Sequence, residues 1–262
     1  MVGERVVTEV DGHVLRIGID RPEKRNAFDL AMIDEFAAAY ERLGEDEGIR
    51  VGMVYATGDH FSAGLDLAEV GQAVAERGPE ALSGGRAYDP FGVWGPQVPK
   101  PVVMAVNGIA FTLSIELALA SDVVVAADDV RFNQLEIGRG ILPFGGATLR
   151  AHAQLGWGNA MRWLLTAEEF GAEEAFRIGL VQEVVPAGAH VDRAAAIAHR
   201  IAAQAPIGVR GTLANARLTR DEGPEPAKRH LRGLVDEVMQ SEDAQEGVMS
   251  FIERREARFS GR

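Results

Sequence analysis

The chain predicts an α/β core followed by an all-helical end. Two observations carry this reading. Short apolar strand candidates alternate with turn-and-helix segments through most of the chain, and helix candidates then follow one another to the C-terminus with no strand between them. Composition agrees, since 47% hydrophobic and 25% charged residues over 262 positions suit a folded chain with a sizeable core.

Residues 5–10 and 13–19 alternate apolar and polar positions around Asp11-Gly12, a hairpin signal. A turn at Arg21-Pro22-Glu23-Lys24 follows, and Asp29 is placed to cap a helix reaching about Leu43. Residues 51–56 read as a buried strand that Gly58-Asp59 ends. After HFSAGLDL (60–67), Asp66 is placed to cap a helix near 67–76. Residues 77–99, rich in Gly and Pro and carrying Trp94, read as a covering loop or short helix and as a place where substrate choice could reside. Residues 102–106 form the next strand candidate, followed by the turn Asn107-Gly108 and a helix from near Thr112. A strand at 123–126 precedes RFNQLEIGRGILPFGG (131–146), which reads as loop. Helices are expected near 146–155, 158–165 and 172–178, then a strand at 181–185, then helices at 190–204, 206–219, 224–240 and 243–258.

Charge and residue usage narrow the function. A formal net charge of −12 argues against non-specific binding to nucleic acid or anionic membranes. The absence of cysteine removes disulfides, thiolate nucleophiles and Cys-based zinc sites. No His, Asp and Glu fall at ligand spacing, so no metal is expected. Residues 1–10 lack the apolar stretch of a signal peptide, and 101–120 is broken by Asn107, Ser114 and Glu116, so it reads as core; a cytoplasmic protein is expected. Ser62 lacks a G-x-S-x-G elbow, and His60 reads as a partly exposed loop histidine.

The most telling residues are Glu116 and Glu136, twenty positions apart. Glu116 lies within AVNGIAFTLSIELALASD (105–122), an apolar run with no structural use for a carboxylate, and burying an unpaired charge is expensive. Two carboxylates presented from different elements suit general acid–base chemistry, one moving a proton while the other handles water. Taken alone, a helix-start glutamate and a surface glutamate would also account for the pair. Two strand-to-turn-to-helix junctions, HFSAGLDL and NGIAFTLSIEL, sharpen the signal. Amides at helix starts lack intrahelical acceptors, and two converging donors form an oxyanion hole. Gly64 and Gly108 would let the backbone approach a ligand closely.

HFSAGLDL, AVNGIAFTLSIELALASD, FNQLEIGRGILPFGG and AEEAFRIGLVQEVVP, in this order, resemble the signatures of the enoyl-CoA hydratase/isomerase (crotonase) family. RPEKRNAFD (21–29) and SEDAQEGVMSFIERREARFSG (241–261) resemble its terminal patterns, so the likeness runs nearly end to end. It implies a crotonase-like core of repeated ββα units at 1–195 and a C-terminal helical oligomerisation region at 196–262, assembled as homotrimer or hexamer. It further implies an acyl-CoA substrate with no separate cofactor, Glu116 and Glu136 as catalytic residues, and backbone N–H donors at Ala63 and Leu113. Ala63, Gly64, Leu65 and Asp66 would line the thioester site, Lys24 and Arg25 would meet the CoA nucleotide, and Phe259, with Arg262, would reach CoA from the C-terminus. The implied reaction is syn hydration of a trans-2-enoyl-CoA; double-bond isomerisation and non-catalytic thioester binding are the alternatives. Thr112-Leu113-Ser114 departs from the family's glycine-rich triplet. The Leu113 amide survives if its φ stays negative, and its side chain is expected to narrow the acyl pocket.

Overall fold

The hairpin turns through Gly12-His13, one residue later than the expected Asp11-Gly12, since Asp11 still pairs with Val14; Gly12 takes the first turn position with a φ of 60°. β1 (Val6–Asp11) and β2 (Val14–Ile19) pair antiparallel, with Val6 opposite Ile19. β3 (Val51–Ala56), β4 (Val102–Val106), β6 (Val123–Ala127) and β9 (Glu183–Val185) extend the sheet in parallel, giving the order β1-β2-β3-β4-β6-β9. This computed structural model describes residues 4–262, so the first three residues of the stretch read as lacking a leader lie outside the described residues.

A parallel sheet must be covered on both faces, which explains why every residue of β4 is apolar and buried. One face packs with α1 (Leu30–Glu45), where Phe36 and Leu43 are fully buried. Asp29 caps that helix as expected, its carboxylate accepting from the Met32 amide at 2.8 Å. The other face packs Met53, Val103 and Val125 against α7 (His190–Ala202). Ala194, Ala198 and Ala202, four residues apart, turn one stripe of small side chains to the strands.

Three strands were not foreseen. β5 (Ile109–Phe111), β7 (Arg131–Asn133) and β8 (Phe170–Gly171) form a second sheet in the order β5-β7-β8. Strands this short show no readable alternation; pairing defines them, with Ala110 opposite Phe132. β5 leads into the segment that carries Glu116 and β7 into the one that carries Glu136, so their pairing sets the two segments side by side.

Further helices follow the expected spacing: α2 (Leu67–Arg77), α3 (Leu113–Ala120), α4 (Ala147–Leu155), α5 (Trp157–Thr166) and α6 (Ala172–Ile178). Asp66 stands at the start of α2 without capping it, because its carboxylate is drawn to the Arg21 guanidinium at 3.3 Å. The boundary expected at 195/196 falls inside α7, which packs on the sheet along its length; the C-terminal helices beyond the sheet are α8 (Pro206–Glu222), α9 (Pro224–Gln240) and α10 (Glu242–Glu253). α10 stops five residues short of the expected 258, since Arg254 turns left-handed (φ 52°) and the tail folds back. There the amides of Ser260 and Gly261 donate to the buried Asp243 carboxylate at 2.7 and 3.0 Å. Among the described residues no helix is long and apolar enough to cross a membrane, and residues 101–120 lie in the core.

Candidate active site

Two turns distant in sequence are locked together by buried polar side chains. Asn26, wholly inaccessible, accepts from the Arg21 amide (2.7 Å) and donates to the carbonyls of Thr57 (2.9 Å) and His60 (2.8 Å). Ser62, equally buried, donates to the Asn26 carbonyl at 2.7 Å and accepts from the Gly64 amide at 3.0 Å. Ser114 donates to the Ser62 carbonyl at 3.2 Å, tying the start of α3 to the first turn. The two turns approach so closely that a Cβ on Gly64 (φ 96°) would lie 1.9 Å from Thr112 Oγ1.

This arrangement decides which amides are free. The Ala63 N–H donates to the Arg25 carbonyl at 2.9 Å, so it is committed to the backbone and does not serve as the expected oxyanion donor. Phe28 and Leu65 form a parallel bridge in which Phe28 donates to Gly64 and Asp66 donates to Phe28. Backbone alternation then turns the Leu65 amide to the opposite side. The amides of Leu65 and Leu113 have no acceptor among the described residues. Leu113 opens α3 in helical backbone, so its replacement of a glycine leaves the N–H in place.

Glu116 is 2% exposed, one turn into α3. Its Oε1 accepts from the amides of Gly145 (2.8 Å) and Ala147 (3.1 Å). Burial raises its pKa from 4.5 to about 7; the charge of Glu136 adds to this, while the two amides and Arg150 oppose it. Glu136 opens a single 3-10 turn (Glu136–Arg139) and is also buried. Gln134 Nε2 donates to its Oε1 at 3.0 Å, and its Oε2 is buried without a partner among the described residues. Burial raises this carboxyl to about 7 as well. Both glutamates line one cavity of about 200 Å³ with Ala63, Leu65, Thr112 and Phe144.

The other expected residues separate. Lys24 and Arg25 are exposed on the turn whose Arg25 carbonyl holds Ala63. Gly64 and Asp66 belong to the first turn, Asp66 paired with Arg21. Phe259 is not brought to this cavity within the chain: its carbonyl accepts from Arg50 at 2.8 Å and its ring faces Gly247. The Arg262 carbonyl accepts from the Asp243 amide at 3.1 Å. The Leu113 side chain does not narrow the pocket. It is 1% exposed in the core, with Cδ1 against Gly145. The 77–99 segment lines no part of this cavity either, but braces its wall, Trp94 Nε1 donating to the Phe144 carbonyl at 3.1 Å. His60 is half-buried, its Nδ1 accepting from the Ile109 amide at 3.3 Å. Among the described residues no group of three or more His, Cys, Asp or Glu could hold a metal ion. Asn26, Gln134 and Gly145 went unread in the sequence, and Ser62 was weighed only as a nucleophile. Gln134 gave no signal, because Arg131, Asn133 and Arg139 surround it with other polar residues.

The chain as a whole is similar to known proteins. Residues 9–262 match the family model described as enoyl-CoA hydratase/isomerase. A carnitinyl-CoA dehydratase of Escherichia coli (strain K12) is 35% identical over 260 residues, covering 96% of this chain and 97% of its own. The crystal structure of a probable enoyl-CoA hydratase/isomerase from Mycobacterium abscessus superposes with a TM-score of 0.94 at 50% identity, covering 99% of each chain. That of an enoyl-CoA hydratase from Mycobacterium tuberculosis H37Rv gives 0.88 at 32% identity, over 99% of this chain and 100% of the other.

Proposed function

From the premise that the chain belongs to the enoyl-CoA hydratase/isomerase (crotonase) family, we propose that it is an enoyl-CoA hydratase, adding water reversibly across the 2,3 double bond of a trans-2-enoyl-CoA. The observation that carries this reading is the pair of buried carboxyls on one cavity, each raised to about 7. Near neutral pH such a pair holds one proton between its two members, which is what a hydration needs: one base and one acid.

In this reading the thioester oxygen takes hydrogen bonds from the Leu65 and Leu113 amides. Glu116, ionised and fixed by Gly145 and Ala147, takes a proton from water as its oxygen bonds to C3. The π electrons move toward the thioester, leaving enolate charge on the oxygen that the amides hold. Protonated Glu136 gives its proton to C2, and the 3-hydroxyacyl-CoA leaves. The thioester itself acidifies C2, so no metal or redox cofactor enters the scheme. A relative bears the name of a dehydratase, and dehydration is this chemistry in reverse. Two placed carboxyls support hydration over isomerisation, where one suffices to shuttle a proton, and over a binding role, which needs neither.

Lys24 and Arg25 would meet the CoA phosphates, exposed cations on a turn bonded to the thioester-site backbone. A homotrimer or hexamer would cover the apolar residues left exposed on α9 and α10, among them Val235, Met239, Phe251 and Ile252. A cytoplasmic acyl-CoA enzyme with no nucleic-acid partner fits the acidic charge. Purified protein mixed with crotonyl-CoA tests the reading: absorbance of the conjugated thioester should fall to an equilibrium value. No change with crotonyl-CoA or longer trans-2-enoyl-CoAs would refute it.

A further inference from the structure

We propose that the Thr112 hydroxyl is a third hydrogen-bond donor to the substrate's thioester oxygen, supplementing the Leu65 and Leu113 amides. This rests on the thioester reading above. Thr112 lines the cavity that holds both glutamates, one residue before the Leu113 amide. Its Oγ1 stands against the Cα of Gly64, one residue before the Leu65 amide. The hydroxyl is thus bracketed by the two free amides.

The backbone of Thr112 is fully used, the hydroxyl is not. Its N–H donates to the Asn133 carbonyl at 2.8 Å, and its own carbonyl accepts from the Ile115 amide at 2.8 Å. A threonine before a helix ordinarily spends its oxygen on the amides of the first turn. Thr112 makes no such cap, and its hydroxyl has no partner among the described residues.

The residue also holds a backbone that threonine disfavours. At φ 50° and ψ −110° a β-branched side chain is strained where glycine would sit freely. The side chain in turn allows only glycine at position 64, so two positions are restricted by it. Nothing among the described residues engages the hydroxyl in return. A contact made only when substrate is bound accounts for both the strain and the unused donor.

The test compares Thr112→Val, which keeps shape without the hydroxyl, Thr112→Ser, which keeps the hydroxyl, and Thr112→Gly, which removes both side chain and strain. Three readouts are taken: kcat and KM with crotonyl-CoA, the enolate absorption band of bound acetoacetyl-CoA, and the thermal midpoint. Thr112→Val is expected to lower kcat on the order of a hundredfold, the effect of losing one oxyanion donor, with little change in KM and a weakened enolate band. Thr112→Ser should keep most of both signals. Thr112→Gly should lose activity as the valine variant does, yet melt above the wild type. A valine or glycine variant with wild-type kcat and enolate band would overturn the proposal while leaving the thioester site intact. Wild-type protein that neither binds acetoacetyl-CoA nor turns over crotonyl-CoA would overturn the underlying function as well.

Discussion

Glu116 and Glu136 face one cavity and reach similar protonation equilibria by different construction. Glu116 rides on a helix whose residues from Leu113 to Leu119 are all buried, and two amides grip one of its oxygens. Glu136 sits on a single 3-10 turn at the edge of a loop, held by one side-chain hydrogen bond, with its other oxygen unpartnered among the described residues. Burial is the largest influence on the proton affinity of both; restraint separates them. In the proposed hydration this contrast would suit a fixed base that places water and a more adaptable acid that follows the carbon being protonated.

The strongest way to break this comparison is to remove each carboxyl in turn. Glu116→Gln and Glu136→Gln are each expected to lower hydration about a hundredfold or more, the usual contribution of a general acid or base. Binding of acetoacetyl-CoA, measured by calorimetry, should change far less. Intact turnover in Glu116→Gln beside a dead Glu136→Gln would turn the reading to a one-carboxyl isomerase.

Next in size is the displacement of the fixed member without touching its charge. A Cβ at Gly145 would fall 2.5 Å from Glu116 Oε2 and 2.9 Å from Leu113 Cδ1. Gly145→Ala should therefore push the carboxylate out of line and lower kcat on the order of tenfold to a hundredfold. Any equivalent substitution beside Glu136 should be milder, because its turn can yield. A Gly145→Ala enzyme with wild-type kcat would show that Glu116 is not rigidly held.

Proton linkage sharpens the pair. With both carboxyls near 7, kcat/KM should trace a bell centred near neutral pH, falling below as Glu116 protonates and above as Glu136 ionises. The stability effect has a definite sign. A carboxyl raised from 4.5 to about 7 by folding stabilises the protein most below 4.5, and that stabilisation is lost as pH rises through about 7. Each group therefore accounts for about 3 kcal/mol of pH-dependent stability. Denaturant titrations between pH 4 and 9 should show a flatter stability curve for Glu136→Gln, which should exceed wild type on the alkaline side. An unchanged pH slope would mean the carboxyl is solvated.

The smallest effect on chemistry is expected at Leu113. Its side chain packs in the core beside Gly145 and lines no part of the cavity, so Leu113→Ala should leave the relative rates on short and long enoyl-CoAs unchanged. It should instead destabilise the fold by about 2–5 kcal/mol, as a buried leucine truncation does. A broadened chain-length profile at unchanged stability would place that side chain in the acyl path after all.

Much of this is legible in the amino-acid sequence. A carboxylate inside an apolar run is a conspicuous anomaly, so Glu116 stood out. The parallel strands announced themselves because burial on both faces leaves no polar positions within β4. The identity of the free amide was not legible. Ala63 and Leu65 are two residues apart, and only the pairing with the segment Arg25–Phe28, distant in sequence, commits one amide and frees the other. The side-chain direction of Leu113 was hidden for a like reason, since it depends on where Gly145 comes to rest. The second sheet escaped because its strands, two and three residues long, are made by their partners.

The cavity's walls also differ in how freely they can drift. One wall is the interior itself: α3 is packed on every side, and a substitution there disturbs folding before it alters selectivity. The opposite rim consists of residues such as Leu67, Arg139 and Ile141, exposed and carrying little of the core. Lineages that diverge from this chain can thus exchange rim residues at small cost to folding while the wall that carries Glu116 stays fixed. New acyl preferences would enter from the solvent side, one surface substitution at a time, under a chemistry that the core does not permit to wander.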